Sequence, residues 1–386
     1  MTEPIPLSAP DIADAEIDAV VSVLRTSRLS LGPQMKAFES AMAALTRVPH
    51  GVAVSSGTAG LHLALLALSI RPGDEVIVPS FTFIAVANAV RYVGANPVFA
   101  DIDPATLNLD PRTVEAALTM RTRALIVVHT FGRPADISAL TALARRHNLV
   151  LIEDSCEAIG ATIDGRSVGS FGDAAVFAFY PNKQITTGEG GMVVTPHAET
   201  ANRIRALRNH GRYESVPDES SPDESGPAAM SETHAELGFN YRLSEMQCAL
   251  GLAQLTRLDA ILARRDSIAR RYHELLATAP DLIVPATDIP GQRLSWFVFT
   301  VRLADSFTAA DRDRIRAALA DRGIATGRYF APIHLQPAYA ASRATSHLPV
   351  TESVADHTLA LPFFNRITGD QIQRVASELH IVLHTL

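Results

Sequence analysis

The sequence predicts an α/β fold: a mostly parallel sheet covered by helices, with a smaller α+β domain at the C-terminal end. Two observations carry this. Through the first two-thirds, apolar runs of strand length alternate with helical patterns. Those runs lack the polar alternation of a half-exposed strand, which marks strands buried on both faces of a parallel sheet. In order, "GVAVSS" reads as a strand and "TAGLHLALLAL" as a helix; "DEVIVPS" and "FIAVANAVRYVG" repeat the pair. "NPVFADID" and "ALIVVHTF" are strands, and "ISALTALARRHN" is a helix. "LVLIEDS", "AAVFAFY" and "GMVVT" complete the strand set. The stretch 214–236 repeats "PDES" and has almost nothing to bury, so it reads as a mobile acidic surface loop. From Ser244 to Ala279 a single long helical pattern leads out of the first domain. Beyond it, "SWFVFTVRL" reads as a strand and "AADRDRIRAALADRG" as a helix. The division predicted is a large domain over 1–250, then the long helix and a small domain over 251–386.

Composition narrows the function classes. A chain of 386 residues with 47% hydrophobic and 19% charged residues has room for two domains and a large core. The start "MTEPIPLSAPDIADAEI" offers acids and prolines where a signal peptide needs a basic and then an apolar run. No apolar stretch is long enough to span a membrane. A net charge of -7 leaves no electrostatic footprint for nucleic acid. Cys156 and Cys248 alone make neither a disulfide framework nor a zinc cage. The expectation is a soluble cytoplasmic protein with no membrane or nucleic-acid partner.

Ligands of such sheets bind beyond the carboxyl ends of the strands, and several chemistry-bearing segments fall there. In "FAFYPNKQITTGEGGM", Lys183 follows an uncharged strand and precedes Gly188, Gly190 and Gly191, which allow close approach to a ligand. Desolvation there favours a neutral, nucleophilic amine; a lysine that merely tethers the loop is the other reading. In "SSGTAGLHLAL" a strand, a turn at Gly57 and Thr58 and a helix start make a phosphate seat, or an ordinary helix cap by Ser56 or Thr58. In "EDSCEA", Glu153 and Asp154 end an apolar strand, where a carboxylate is costly unless paired. An acid there could keep a pyridine nitrogen protonated, or pair with an arginine, or cap a helix. Glu157 lies within reach of the same place. Phe81 and Phe83 of "PSFTF" could stack on a flat ring or belong to the core. Together these parts compose a site for pyridoxal 5'-phosphate. His62, His129 and His210 lack ligand spacing, and no metal is assigned.

The chain resembles the DegT/StrS family of pyridoxal-phosphate-dependent sugar aminotransferases, which have the aspartate aminotransferase type I fold. The resemblance runs nearly end to end, through "SRLSLGPQMKAFE", "SSGTAGLHLAL", "VIVPSFTFIAVANAV", "EDSCEAIGA", "FYPNKQITTGEGGM", "GFNYRLSEMQCALGLAQL" and "YFAPIHLQPAY". It is nearest in character to nucleotide-sugar 4-aminotransferases of the perosamine synthase kind. The resemblance implies that Gly57 and Thr58 bind the phosphate, Phe83 stacks on the ring, Asp154 pairs with its nitrogen and Lys183 forms the internal aldimine. Glu157, where the family often has glutamine or histidine, would contact the ring hydroxyl. Ala178 stands where many members have a phosphate-binding serine. Asn240 of "GFNYRL" would reach the phosphate of a partner subunit, making a homodimer with shared active sites. The implied reaction moves an amino group from an amino acid, L-glutamate in most of the family, to a nucleotide-linked keto sugar. A keto cyclitol is an alternative acceptor, and a non-catalytic regulator is the alternative from another class. For the sugar, Arg242 is expected to point the same way as Asn240 on an extended segment. Tyr329 and His334 of "RYFAPIHLQPAY" are expected to contact it from a loop, with Arg328 beside them.

Overall fold

A computed structural model describes residues 3–213, 233–340 and 346–385. The apolar runs become β1 (His50–Val54), β2 (Glu75–Pro79), β3 (Asn96–Ala100), β4 (Thr122–Val128) and β5 (Val150–Asp154). A short hairpin follows, β6 (Thr162–Ile163) and β7 (Arg166–Ser167), and then β8 (Ala174–Ala178) and β9 (Gly191–Thr195). Seven of these strands form one sheet in the order β1-β9-β8-β5-β4-β2-β3. β9 runs antiparallel to both neighbours; the other pairs are parallel. Every residue of β2 and of β9 is buried, as expected for strands without polar alternation. The parallel pairing brings the segments after β2, β4, β5 and β8 to one edge.

Helices cover both faces of the sheet. The helix Gly57–Ala67 begins directly after β1 and is capped by Ser56, whose hydroxyl accepts from the Ala59 N–H. The helical pattern over 244–279 is not one helix but two, Glu245–Thr256 and Leu258–Leu276. They meet at Arg257, which leaves helical geometry at φ −104°, ψ 3°. Its guanidinium lies 2.8 Å from both Asp11 and the buried Glu16. Those two acids on the N-terminal segment are a tertiary partner that helical periodicity cannot reveal.

The C-terminal part adds β10 (Leu282–Ile283), β11 (Gln292–Arg293), β12 (Phe299–Leu303) and β13 (Thr358–Leu361). β10, β12 and β13 form an antiparallel sheet, while β11 adds to the β6–β7 hairpin to make a small three-stranded sheet of its own. Its core gathers Tyr272, Phe299 and Phe363 with residues of the helices Ala309–Asp321 and Gly369–Thr385, and also takes in Ile5. The apolar run "SWFVFTVRL" joins this sheet only from Phe299. Its first residues pair elsewhere: Ser295 N–H donates to Gly132 O at 2.9 Å and Phe297 N–H to Phe131 O at 3.3 Å. Among the described residues no helix is long and apolar enough to cross a membrane. Of the acidic stretch 214–236, residues 214–232 lie outside the described residues; Glu236 at its end pairs with Arg203 at 3.1 Å.

Candidate active site

At the carboxyl edge of the sheet lies a cavity of about 390 Å³. Gly57, Thr58, Phe83, Asp154, Glu157, Lys183 and Tyr329 all line it. Lys183 sits in a turn five residues past β8, where its N–H donates to Tyr180 O at 2.9 Å. Its Nζ lies 3.5 Å from Glu157 Oε1 and 3.9 Å from the centre of the Phe297 ring. The ammonium therefore meets a carboxylate on one side and an aromatic face on another.

Glu157 is buried, and burial pushes its carboxyl above the usual range, against the opposing pull of Lys183 and of the Phe131 N–H. That N–H donates to Glu157 Oε2 at 2.8 Å. Phe131 is held at φ +57°, a conformation rare for a phenylalanine, by this bond and by its pairing with Phe297. The next residue, Gly132, has φ +85°, and a Cβ there would meet Ser295 O at 1.6 Å. Only glycine lets the 295–297 segment approach closely enough to set Phe297 over Lys183. Gln184 fastens the same place, donating to Glu157 O at 2.6 Å and to Ser295 O at 2.8 Å. Arg265 closes it from behind, donating to the carbonyls of Trp296 and Phe297 at 2.6 and 2.7 Å.

The two acids ending β5 go separate ways. Glu153 is fully buried under the sheet edge, 3.1 Å from His129 Nε2, and accepts the N–H groups of Gly169, Phe171 and Gly172. Asp154 lines the cavity, accepts the Cys156 N–H at 3.0 Å and carries no ion pair among the described residues. Beside it, burial pushes the Cys156 thiol up. Phe81 is core, while Phe83 lines the cavity with 61% of its surface exposed.

Asn240, Arg242, Arg328 and His334, singled out from the sequence for the cofactor or the sugar, do not line the cavity. Asn240 is exposed and bridges Asn209, whose side chain accepts from Arg242 Nη1 at 2.9 Å. The expectation that His334 faces a sugar meets a different arrangement: the side chain is fully buried. Its Nδ1 lies 2.7 Å from Ser80 Oγ and its Nε2 3.2 Å from Glu352. The loop has tucked against the end of β2, with Ile333 N–H donating to Ser80 O. Tyr329, from the same loop, does reach the cavity, where burial pushes its phenol up against a hydrogen bond from Asn182. Sequence reading missed Phe297, Tyr180, Asn182 and Phe330. For Asn182 and Tyr180 adjacency to Lys183 is a usable signal. Phe297 gave none, because an aromatic in an apolar run reads as core.

The features suit a flat, cationic heterocycle carrying a phosphate. The helix start at Gly57 leaves N–H groups without intrahelical acceptors. A Cβ on Gly57 would meet Ala178 Cβ and Cys156 Sγ at 2.9 Å, so this backbone can sit where no other residue fits. The buried Asp154, with no ion pair among the described residues, asks for a cation, and Asn182 Oδ1 is buried with no partner among them.

Fold and cavity together define a protein of the aminotransferase class. The chain belongs to the DegT/DnrJ/EryC1/StrS aminotransferase family, which it matches over residues 10–380. It is 40% identical to the GDP-perosamine synthase of Caulobacter vibrioides over 386 residues, covering 98% of each chain. Among solved structures it is similar to DesV of S. venezuelae, with 39% identity, 98% of each chain covered and a TM-score of 0.87. It is also similar to the PLP form of the putative sugar aminotransferase Spr1654 from Streptococcus pneumoniae, with 27% identity, 99% of each chain covered and a TM-score of 0.90.

Proposed function

We propose that this protein is a pyridoxal-phosphate-dependent aminotransferase that moves an amino group from an amino acid, L-glutamate, to a nucleotide-linked keto sugar. One observation carries the reading: Lys183 Nζ stands in the cavity between Glu157 and Phe297, with the unpaired Asp154 in the same lining. The relatives' names carry the sugar acceptor. When bound, the cofactor supplies the electron sink on which an amino group is exchanged. The chain's own residues hold it and move protons. Gly57 and Thr58 would present helix-start N–H groups to its phosphate. Phe83 would stack on its ring, and Asp154 would hold a proton on its nitrogen. Glu157, poised to keep a proton longer than an ordinary carboxyl, would face the ring hydroxyl. Lys183 Nζ would hold the cofactor and would serve as the base that moves a proton at the substrate. Tyr329 meets the substrate from the small domain, and the large region over 1–250 is the cofactor domain.

The working unit is a homodimer. Phe83 and Tyr180 stand at the cavity with 61% and 51% of their surfaces exposed, and Leu237 nearby in sequence to Asn240 is 88% exposed. A second copy would cover them, and its Asn240 and Arg242 would complete the site. Mixing Lys183→Ala with Asn240→Ala subunits tests this, because a mixed dimer regains one intact site. No regain under subunit exchange would overturn the sharing. Two free cysteines suit a reducing cytoplasm. The reaction itself is tested by offering nucleotide keto sugars with L-glutamate and reading the products by mass spectrometry. Amination of a keto cyclitol and of no nucleotide sugar would overturn the acceptor.

A further inference from the structure

Behind the lysine cavity, across the segment 294–302, lies a second cleft of about 370 Å³. The segment is extended, so its residues alternate sides. Trp296, Val298, Thr300 and Arg302 line the second cleft, while Phe297 lines the first. The opposite wall comes from Pro104–Leu107 and Thr130–Arg133, and Ile283 and Val284 add apolar surface.

Into this mostly apolar cleft the chain puts two guanidinium groups, Arg133 and Arg302, both half-buried. Arg133 Nη1 donates to Ala105 O at 2.8 Å, but its Nε is buried with no partner among the described residues. Arg302 makes no side-chain hydrogen bond or ion pair among the described residues. Burial weakens the hold of both on their protons, Asp305 and Asp103 opposing it for Arg302 and Asp103 for Arg133. Asp103 Oδ1 is already taken by the N–H groups of Ala105 and Thr106 at 2.9 and 2.8 Å. Two partly desolvated cations with no carboxylate in ion-pair reach among the described residues are costly unless an anion joins them. Guanidinium is the group whose donor fork matches carboxylate and phosphate.

We propose that this cleft binds a small organic anion, one carboxylate or phosphate group on an apolar body, with Arg133 and Arg302 on the charge and Trp296, Leu107 and Val298 around the body. The proposal does not rest on the reaction assigned to the lysine cavity. It assigns a site outside that cavity, on the other side of the extended segment 296–298.

Trp296 is the chain's one tryptophan, so its fluorescence reports on this cleft directly. The test titrates the protein, kept in saturating pyridoxal phosphate, with phenyl phosphate and with phenylacetate. Cofactor absorbance is followed alongside to detect displacement from the first cavity. A saturable fluorescence change is expected with one of the two anions, and which one answers separates phosphate from carboxylate. Inorganic phosphate lacks the body and benzyl alcohol lacks the charge; each should bind on the order of tenfold more weakly. Arg302→Gln and Arg133→Gln should each weaken binding by about tenfold. Arg302→Gln should melt as the wild type does, since no bond is lost. The proposal is overturned if neither anion gives saturation below about 10 mM, if benzyl alcohol matches them, if the change tracks loss of cofactor, or if both variants titrate like the wild type.

Discussion

Glu153 and Asp154 are neighbours at the end of β5, and both are buried. They differ in what surrounds them. Glu153 is saturated by His129 and three backbone N–H groups, so its charge is spent inside the fold. Asp154 has one N–H partner and an open cavity before it. The side of the strand end where polar groups are fully partnered is structure. The side where they are under-partnered is poised for a ligand. Burial alone does not separate the two; the count of partners does.

Substitutions can break this contrast, and the largest effect is expected on the open side. Lys183→Ala should lower turnover by about a thousandfold or more, because no other amine stands in the cavity. Circular dichroism should show the fold retained, and wild-type turnover would remove Lys183 from the chemistry. On the closed side, Glu153→Ala should leave the donors of three N–H groups and His129 without an acceptor, costing about 3–5 kcal/mol of stability in denaturant unfolding. An unfolding midpoint equal to wild type would show that the saturated carboxylate does not hold the strand end. Asp154→Asn sharpens the comparison by reversing the pattern. Turnover should drop on the order of a hundredfold, while stability without cofactor holds or rises, since the change removes a buried charge lacking an ion pair. A loss of stability like that of Glu153→Ala would make the two acids equivalent.

The smallest effect belongs to a carboxylate saturated at the surface. The Thr308 hydroxyl, then the Thr308 N–H, hold the Asp311 carboxyl down at about 2. A depressed carboxyl contributes stability that is present above its unfolded value of 3.8 and is lost as pH falls through about 2. Asp311 lies at the surface on the first turn of its helix, so Asp311→Asn should shift the melting temperature only slightly at neutral pH, and less still in acid. A carboxyl titration followed by NMR with a midpoint near 3.8 would show that the cap does not form.

Much of this was legible in the residues themselves. The sheet follows from uncharged apolar runs, whose only low-energy place is between two helical layers. Lys183, Asp154 and Gly57 stood out because an amine, an acid and a glycine at strand ends each conflict with their apolar neighbourhood. The membership of a family was likewise carried by motifs in order. Tertiary structure alone decided the rest. It divided the long helical pattern at Arg257, because Asp11 and Glu16 are far away in sequence. It put Phe297 over Lys183, because that placement depends on Gly132 lying against Ser295. It buried His334 against Ser80 and split Glu153 from Asp154. Local patterns record which residues avoid water. Which polar group meets which partner is fixed only when distant segments arrive at the same place, and the open side of the strand end is defined by the partners that did not.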